Sequence, residues 1–288
     1  MGFCTGKSKT IGMIVEDISN PFFSAIARVV EASAYNNGYR VIYGSSENDP
    51  NKTTELLQTF RDHHVDGYII VPPPGMERAI RRLMTDGFPV VIFDRVIPDI
   101  PCSKILVDNF NGAYCAITHL AENGYKNIMM ITLASKQDQM EERARGFSTV
   151  ISQYKLKGTI KALPYHEDRI QTIESIKASL KSHQDVDAVF FATNYFAISG
   201  LAAFKQLNIS VPVNMGVVVF DDSYYFELFN PSITAVAQPV EAIGEQVTKM
   251  LIAELQNEHA IMPQTILLKT KLMIRESSVI NTLAKDPS

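Results

Sequence analysis

The chain has 288 residues, 46% of them hydrophobic and 20% charged, which is typical of a globular protein with room for two domains of about 100–150 residues each. Its formal net charge is −4 at pH 7, so it lacks the excess of Lys and Arg with which a protein binds a phosphate backbone. No apolar run approaches the roughly 18–20 residues of a membrane span, and the amino terminus lacks the apolar core of a secretory signal.

Three cysteines, Cys4, Cys102 and Cys115, lie far apart and without metal-ligand spacing. An odd, sparse set favours free thiols in a reducing compartment, so we expect a cytoplasmic protein without a metal or other cofactor. The sequence contains no glycine-rich phosphate loop, HExxH or nucleophile-elbow pattern. We therefore do not expect an enzyme.

The first part of the chain alternates short apolar runs with amphipathic stretches. Five runs are predicted strands: Thr10–Val15, Tyr39–Gly44, Gly67–Val71, Val90–Phe93 and Lys104–Val107. Asn20 before Pro21 and Asp49 before Pro50 are N-caps followed by a proline at the first helical position, which predicts two helix starts. A third helix is predicted from Met76 to the stop at Gly87.

The same alternation then restarts. The second series of predicted strands is Asn127–Leu133, Thr159–Leu163, Ala188–Ala192, Met215–Asp221 and Ile233–Ala237. The predicted helices are Asn109–Asn123, Met140–Tyr154, Asp168–His183, Tyr195–Leu207 and Val240–Glu258. Strands and helices alternating at intervals of roughly 25–30 residues indicate βαβ units and parallel sheets. Two such series predict an α/β protein with two doubly wound parallel-sheet domains.

The last helix and the extended stretch Ile266–Ile274 cannot form a third core, so we expect them to return to the two domains. The chain would then cross between the domains three times and form a hinge over a cleft. The predicted boundaries are 9–107 plus 239–266 for the first domain and 108–238 plus 267–280 for the second, with a lead-in at 1–8 (a hinge remnant or tag) and a tail at 281–288.

Several segments in a fixed order resemble the effector-binding core of the LacI family of bacterial transcriptional regulators. They are Thr5-Gly6-Lys7-Ser8-Lys9-Thr10-Ile11-Gly12, Ile18-Ser19-Asn20-Pro21-Phe22-Phe23, Val65-Asp66-Gly67, Val107-Asp108-Asn109, Arg143 with Gly146-Phe147, Phe220-Asp221-Asp222, Gln238-Pro239 and Arg275-Glu276-Ser277-Ser278. The resemblance covers Gly6 to Ser278. It implies two subdomains of the type I periplasmic-binding-protein-like fold, joined by three crossings.

The resemblance also implies partners. Family members are homodimers that bind a small-molecule effector (a sugar, sugar phosphate or nucleobase-like compound) between the subdomains. They bind operator DNA through an amino-terminal helix-turn-helix. The lead-in resembles the end of the family's hinge segment, so we expect this head to have been removed here; a protein that works without it is the other interpretation. The alternative function is a periplasmic sugar-binding protein of a transporter, a different class on the same fold.

Arg143 and Asp221 are the main candidates for effector contacts. Ligands of open α/β sheets bind beyond the carboxyl ends of the strands, where Asp221 follows an apolar run and Arg143 lies in the first turns of a helix that follows a strand. The guanidinium group of arginine donates hydrogen bonds and a carboxylate accepts them. The pair therefore suits a ligand that carries both acceptors and donors. By resemblance, both residues match effector contacts. The structural alternative is that they pair only with each other.

Phe22 and Phe23 match aromatic residues that stack on effectors in relatives, although either could belong to the core. Asp94 matches an acid at the end of the first domain's fourth strand; a salt bridge with Arg95 or a turn cap would explain it equally well.

Asn194, Tyr195 and Gln238 complete the expected effector-binding set. The family usually has Asn-Asp where this chain has Asn194-Tyr195, so sugar recognition by the usual acid is in doubt. Lys136, in the loop before the helix of Arg143, would favour an anionic effector, whereas an exposed loop lysine is the simpler interpretation.

Overall fold

The computed structural model describes residues 7–166, 168–256 and 262–279. The chain divides into two compact units. Unit 1 contains the chain up to Val107 together with Pro239–Leu268, and unit 2 contains Asp108–Gln238 together with the chain from Lys269. Residues 1–6 of the predicted lead-in, the predicted tail and the last two residues of the helix predicted to end at Glu258 lie outside the described residues.

Unit 1 is a parallel sheet with helices packed on it. Its strands are β1 (Thr10–Val15), β2 (Arg40–Ser45), β3 (Gly67–Ile70), β4 (Val90–Phe93), β5 (Ser103–Val107) and β11 (Thr265–Leu268). Its helices are α1 (Pro21–Asn36), α2 (Pro50–Asp62), α3 (Glu77–Thr85) and α9 (Val240–Gln256). The strand order is β11-β5-β4-β3-β1-β2, and every pair is parallel.

The sheet of unit 1 is covered on both faces. Successive side chains of a strand point to opposite faces, and Met13 and Ile14 accordingly belong to two different hydrophobic clusters. The cluster around Met13 includes α1 and α9 residues, and the cluster around Ile14 includes α2 and α3 residues. Burial on both faces explains why these strands are continuous apolar runs rather than alternating ones.

Unit 2 repeats this architecture. Its strands are β6 (Asn127–Leu133), β7 (Lys157–Leu163), β8 (Ala188–Phe191), β9 (Gly216–Phe220), β10 (Thr234–Ala237) and β12 (Lys271–Met273). Its helices are α4 (Asn109–Glu122), α5 (Asp138–Gln153), α6 (Arg169–Lys181), α7 (Asn194–Gln206) and α8 (Tyr224–Leu228). The order is β12-β10-β9-β8-β6-β7; all pairs are parallel except β10 with β12.

Helices α4 and α5 pack very closely in unit 2, and Gly146 is the reason. A Cβ built at Gly146 would overlap the main-chain carbonyl oxygen of Phe110 and would lie 3.1 Å from the Cβ of Ala113. Phe147, the next residue, is buried in the adjoining cluster. The missing side chain therefore sets the spacing between the two helices.

The predicted fold class is confirmed: both sheets are mostly parallel and alternate with helices. Two details differ from expectation. The aromatic segment after Asp221 contains a short helix, α8, that was not predicted. The single extended stretch predicted at Ile266–Ile274 is divided into β11 in unit 1 and the antiparallel β12 in unit 2.

The carboxyl-terminal segment is fixed to unit 2 by side chains. Arg275 donates to both carboxylate oxygens of Asp222 at 2.8 Å, and this pairing raises the pKa of Arg275. Ser278 Oγ lies 2.8 Å from Nε2 of the buried His119, whose pKa is lowered by burial.

Cys102 and Cys115 are free thiols. Among the described residues, no helix is long and apolar enough to cross a membrane.

Candidate functional site at the carboxyl edges of the sheets

Polar side chains follow the carboxyl ends of adjacent strands in unit 2. Asn194 comes shortly after β8, Asp221 directly after β9 and Gln238 directly after β10, while Arg143 lies in the second turn of α5. Strands β8, β9 and β10 are neighbours in the sheet, so their carboxyl ends bring these residues to one edge. Ligands of doubly wound sheets bind at this edge.

The guanidinium of Arg143 is almost completely buried, with 3% of the residue exposed. Its Nε donates to Oδ1 of Asn109 at 2.9 Å, and its Nη1 donates to the carbonyl of Ala192 at 2.6 Å. Its Cζ lies 3.6 Å from the centroid of the Phe220 ring, which is a cation–π arrangement. These three contacts fix the orientation of the guanidinium plane at the sheet edge.

Asp221 adopts a left-handed backbone conformation, with φ of +75°, in which its main-chain N–H donates to the carbonyl of Val236 at 3.1 Å. One carboxylate oxygen accepts from Nε2 of Gln238 at 2.6 Å. The other lies 3.8 Å from Nη1 of Arg143 and 3.4 Å from the main-chain N–H of Asn194. Arg143 and Asp221 thus pair through charge, at a separation longer than a hydrogen bond.

Gln238 leaves an acceptor without a partner. Because its Nε2 donates to Asp221, its Oε1 must point elsewhere, and this buried oxygen has no hydrogen-bond partner in the part of the chain that is described. A buried carbonyl without a donor costs roughly 1–3 kcal/mol. Such a group at a sheet edge is the kind of atom that a ligand donor would satisfy.

Tyr195 belongs to another part of the edge. Its hydroxyl donates to the carbonyl of His166, accepts from the His166 N–H at 3.2 Å and lies 2.9 Å from Thr172 Oγ1. Its ring lies 4.9 Å from that of Tyr165, which is 58% exposed. The hydroxyl of Tyr195 therefore holds the loop after β7, and the exposed aromatic ring at this edge is that of Tyr165, which sequence reasoning did not single out.

The corresponding edge of unit 1 carries Phe22, Phe23 and Asp94. Phe23 is a core residue: it is buried and makes an edge-to-face contact with Phe93. Phe22 is partly exposed and packs edge-to-face on Phe23 with ring centroids 5.0 Å apart. Asp94 follows β4 in a left-handed conformation, φ +68°, and lies 3.7 Å from Nε of Arg95. The predicted salt bridge is therefore present.

Sequence reasoning missed the central role of Arg95. This residue is 5% exposed, and its guanidinium contacts Glu16 after β1, Asn48 after β2 and Asp94 after β4. Burial lowers the pKa of Arg95 to about 10. Its position directly after the strand-end acid was the available signal. Asn109, which fixes Arg143, was likewise visible as the second of two polar residues after β5.

The described residues contain no cluster of His, Cys, Asp or Glu that could hold a metal ion.

Residues 117–278 match a family described as a periplasmic binding protein-like domain.

Curated relatives align over most of the chain. The HTH-type transcriptional regulator KdgR of Bacillus subtilis (strain 168) is 27% identical over 94% of this chain and 80% of its own length. The ribose operon repressor of Halalkalibacterium halodurans is 28% identical over 94% of this chain and 80% of its own length. These relatives are transcriptional regulators and not enzymes.

A solved structure is also similar along almost the whole chain. It is a periplasmic binding protein/LacI transcriptional regulator from Alkaliphilus metalliredigens QYMF, complexed with D-xylulofuranose. It is 29% identical, covers 94% of this chain and 100% of its own, and has a TM-score of 0.83. A putative transcription regulator from Staphylococcus saprophyticus is 26% identical. It covers 95% of this chain and 100% of its own, with a TM-score of 0.84.

Proposed function

Because this chain belongs to the LacI-type regulators of the periplasmic-binding-protein-like family, we propose that it is the effector-binding core of a ligand-responsive transcriptional regulator. The observation that carries this proposal is the cluster of Arg143, Asp221 and Gln238 at the carboxyl edge of unit 2, in which a buried acceptor is left for a ligand. Relatives named as regulators favour this function over a sugar-binding protein of a transporter.

The proposed effector is a small metabolite, with sugars favoured over sugar phosphates and nucleobase-like compounds. One similar protein is a ribose operon repressor, and another was solved with D-xylulofuranose. In unit 2 the proposed contacts are Arg143, Asp221, Gln238 and Asn194, with Tyr195 positioning the loop that carries Tyr165. In unit 1, Phe22 and Asp94 are proposed contacts, and Phe23 supports the ring of Phe22.

We propose that effector binding acts through the chain crossings at Val107, Gln238 and Leu268. Gln238 holds Asp221 and is followed directly by Pro239 and α9 of unit 1. A ligand that engages Gln238 therefore acts on a residue one peptide bond from the other unit. Such a ligand shifts the conformational equilibrium by as much as its affinities for the two states differ.

Operator DNA is the proposed macromolecular partner, and the cytoplasm is the proposed location. With a net charge of −4, this part of the protein is not expected to hold DNA directly, so contact requires a basic element such as the helix-turn-helix head of LacI-type regulators.

A screen for ligands tests the proposed function. We expect at least one sugar or related metabolite to raise the melting temperature, since ligand at 100 times its Kd stabilises the folded state by about 2.7 kcal/mol. Calorimetric titration of the positive compounds then gives their affinity. A broad metabolite panel without any stabilising compound would contradict a ligand-responsive core.

We also propose that the chain forms a homodimer through an apolar segment comprising Tyr224, Tyr225, Leu228 and Phe229. Tyr224, Tyr225 and Leu228 of α8 and the following Phe229 are all exposed, Leu228 by 76%. A contiguous exposed apolar segment commonly marks an interface, and operator half-sites with two-fold symmetry require a dimer.

Light scattering after gel filtration tests this surface. We expect Leu228→Asp to weaken dimerisation at least about tenfold, because the charge would be buried in the centre of the interface. The matched control is Val213→Asp, at an isolated apolar residue that is 84% exposed in a turn of the same unit. A wild-type chain that is monomeric at micromolar concentration would rule the proposal out.

A further inference from the structure

We infer that Arg275 is a positioning residue for the association of two copies of the chain: it holds α8, and with it the apolar segment, in the orientation that dimerisation requires. The inference rests on the proposed homodimer, because it concerns the segment through which the two copies would meet. All the contacts that carry it lie within unit 2.

Helix α8 needs support from elsewhere in the chain. It spans only five residues, Tyr224–Leu228, and so short a helix is not stable in water by itself. Its N-cap residue, Ser223, makes no capping hydrogen bond. Phe226 is buried, and its carbonyl accepts from the main-chain N–H of Ile233 at 2.8 Å. Both contacts are made at one residue, so they fix a point of the helix and leave its direction to other contacts.

The guanidinium of Arg275 supplies such contacts. Nη1 and Nη2 donate to the two carboxylate oxygens of Asp222, in the loop before the helix, both at 2.8 Å. Nη2 also donates to Oε1 of Glu227 in the helix at 2.9 Å. Nη1 donates to the carbonyl of Ile233, directly before β10, at 2.8 Å. One side chain thus joins the loop before α8, the helix itself and the start of the next strand.

The residues at both ends of this contact are fixed to the sheet. The main-chain N–H of Asp222 donates to the carbonyl of Val236 in β10 at 3.2 Å. The main-chain N–H of Arg275 donates to Oγ1 of Thr234 at 2.8 Å, and its carbonyl accepts from the same hydroxyl at 3.0 Å. The side chain of Arg275 is only 10% exposed, so water competes little for its hydrogen bonds. Arg275 therefore fixes α8 relative to β10.

Glu276 holds the other end of the same loop. Its Oε2 accepts from the main-chain N–H of Ser232 at 2.8 Å and from the Ser232 hydroxyl at 3.0 Å, and these bonds lower the pKa of Glu276. The main-chain N–H of Ser277 donates to the carbonyl of Ser232 at 2.9 Å. Two consecutive residues, Arg275 and Glu276, thus hold the chain between Asp222 and Ser232 at both ends.

The orientation of α8 decides which side chains a partner would meet. The rings of Tyr224 and Tyr225 lie 4.0 Å apart, and Leu228 follows Tyr224 by four residues, which places the two on one side of the helix. Glu227 is next to Leu228 and points about 100° away from it. A helix turned by that angle would bring a carboxylate into the interface, where an unpaired charge is costly. The ion pair with Arg275 keeps Glu227 against the chain's own carboxyl-terminal segment.

Sedimentation equilibrium of Arg275→Ala tests the inference. We expect the dissociation constant of the dimer to rise at least about tenfold. Arg275→Lys keeps the charge without the planar fork, so its dissociation constant should lie between those of the wild type and the alanine variant. If Arg275→Ala does not fold, Arg275→Lys carries the comparison.

The matched control is Ser278→Ala, three residues further along the same segment. Ser278 contacts His119 and Thr234, and its hydroxyl makes none of the hydrogen bonds that hold α8. We expect this variant to unfold at a lower urea concentration, because it removes buried hydrogen bonds. Its dissociation constant should stay within about twofold of the wild-type value.

Hydrogen exchange separates a displaced helix from a lost partner. The comparison uses Leu228→Asp at a concentration at which it is monomeric, so that dimer dissociation cannot contribute. In that background, Arg275→Ala should make the amides of residues 224–229 exchange at least about tenfold faster, and Ser278→Ala should not. Equal exchange in the two double variants would show that Arg275 does not position α8.

The outcomes distinguish this inference from the proposed homodimer. A wild-type chain that is monomeric, or a dimer that Leu228→Asp leaves intact, contradicts association through the apolar segment, and the inference fails with it. A wild-type dimer whose dissociation constant changes equally in Arg275→Ala and Ser278→Ala overturns the inference alone. The carboxyl-terminal segment would then contribute only to the stability of unit 2.

Discussion

Replacing Arg143 by alanine is expected to weaken effector binding by roughly 10- to 150-fold, corresponding to about 1.5–3 kcal/mol for a charge-assisted contact. The guanidinium is held by Asn109 and by the carbonyl of Ala192, and it stacks on Phe220. The effector would therefore meet donors whose direction is already fixed. Calorimetric titration with a ligand from the screen measures the loss, and circular dichroism shows whether the variant is folded.

A matched control lies two residues further along the same helix. Arg145 is exposed, pairs with Glu142 three residues earlier, and should be replaceable by alanine without loss of affinity. Because Arg143→Ala also leaves Asp221 without its counter-charge, Arg143→Lys is a useful second variant: it keeps the charge and removes the planar fork. Wild-type affinity in both Arg143 variants would exclude this residue from the site.

Gly146→Val is expected to lower the free energy of unfolding by about 2–3 kcal/mol, because any Cβ at this position overlaps the main chain of α4. The helices would have to separate, and they carry Arg143 and its partner Asn109. The variant should therefore also bind the effector more weakly. Urea unfolding measures the first effect, and calorimetry of the folded protein measures the second.

Ser148→Val is the control for this substitution. Ser148 is exposed on the same helix, so valine there changes only the helix propensity, by a few tenths of a kcal/mol. If Gly146→Val were as stable as Ser148→Val, the close packing of α4 and α5 would not be what limits this position.

Much of the fold could be predicted because its signals are local. Asn20-Pro21 and Asp49-Pro50 do cap α1 and α2, since a cap needs only a side-chain oxygen and the next few amides. The helix α8 was missed because a segment of five residues is too short to show the hydrophobic periodicity of a helix. The antiparallel pairing of β12 with β10 depends on a contact between distant parts of the chain, which no local pattern encodes.

In the candidate site, too, local features could be predicted from the sequence and contacts between distant parts of the chain could not. The strand-end position was enough to select Asp221, because ligands of open α/β sheets bind beyond the carboxyl ends of the strands. Asp94 was selected from the resemblance to the LacI family. The hydrogen bond of Gln238 to Asp221 could not be predicted, since it depends on the register of two strands. For Tyr195, the polar partners of its hydroxyl are His166 in the loop after β7 and Thr172 in α6, which lie more than 20 residues earlier in the chain.

The positions of the last two strands, β11 and β12, determine when the two sheets can be completed during synthesis of the chain. Strand β11 completes one sheet and β12 the other, and only Lys269 and Thr270 separate them. Strand β5 is synthesised about 160 residues before its neighbour β11, which at 5–20 residues per second is a delay of roughly 8–30 s on the ribosome. During that time β5 presents an open hydrogen-bonding edge to other nascent chains, and β10 does so for the roughly 2–7 s before β12 is made. Because only two residues separate β11 from β12, both sheets are completed almost simultaneously.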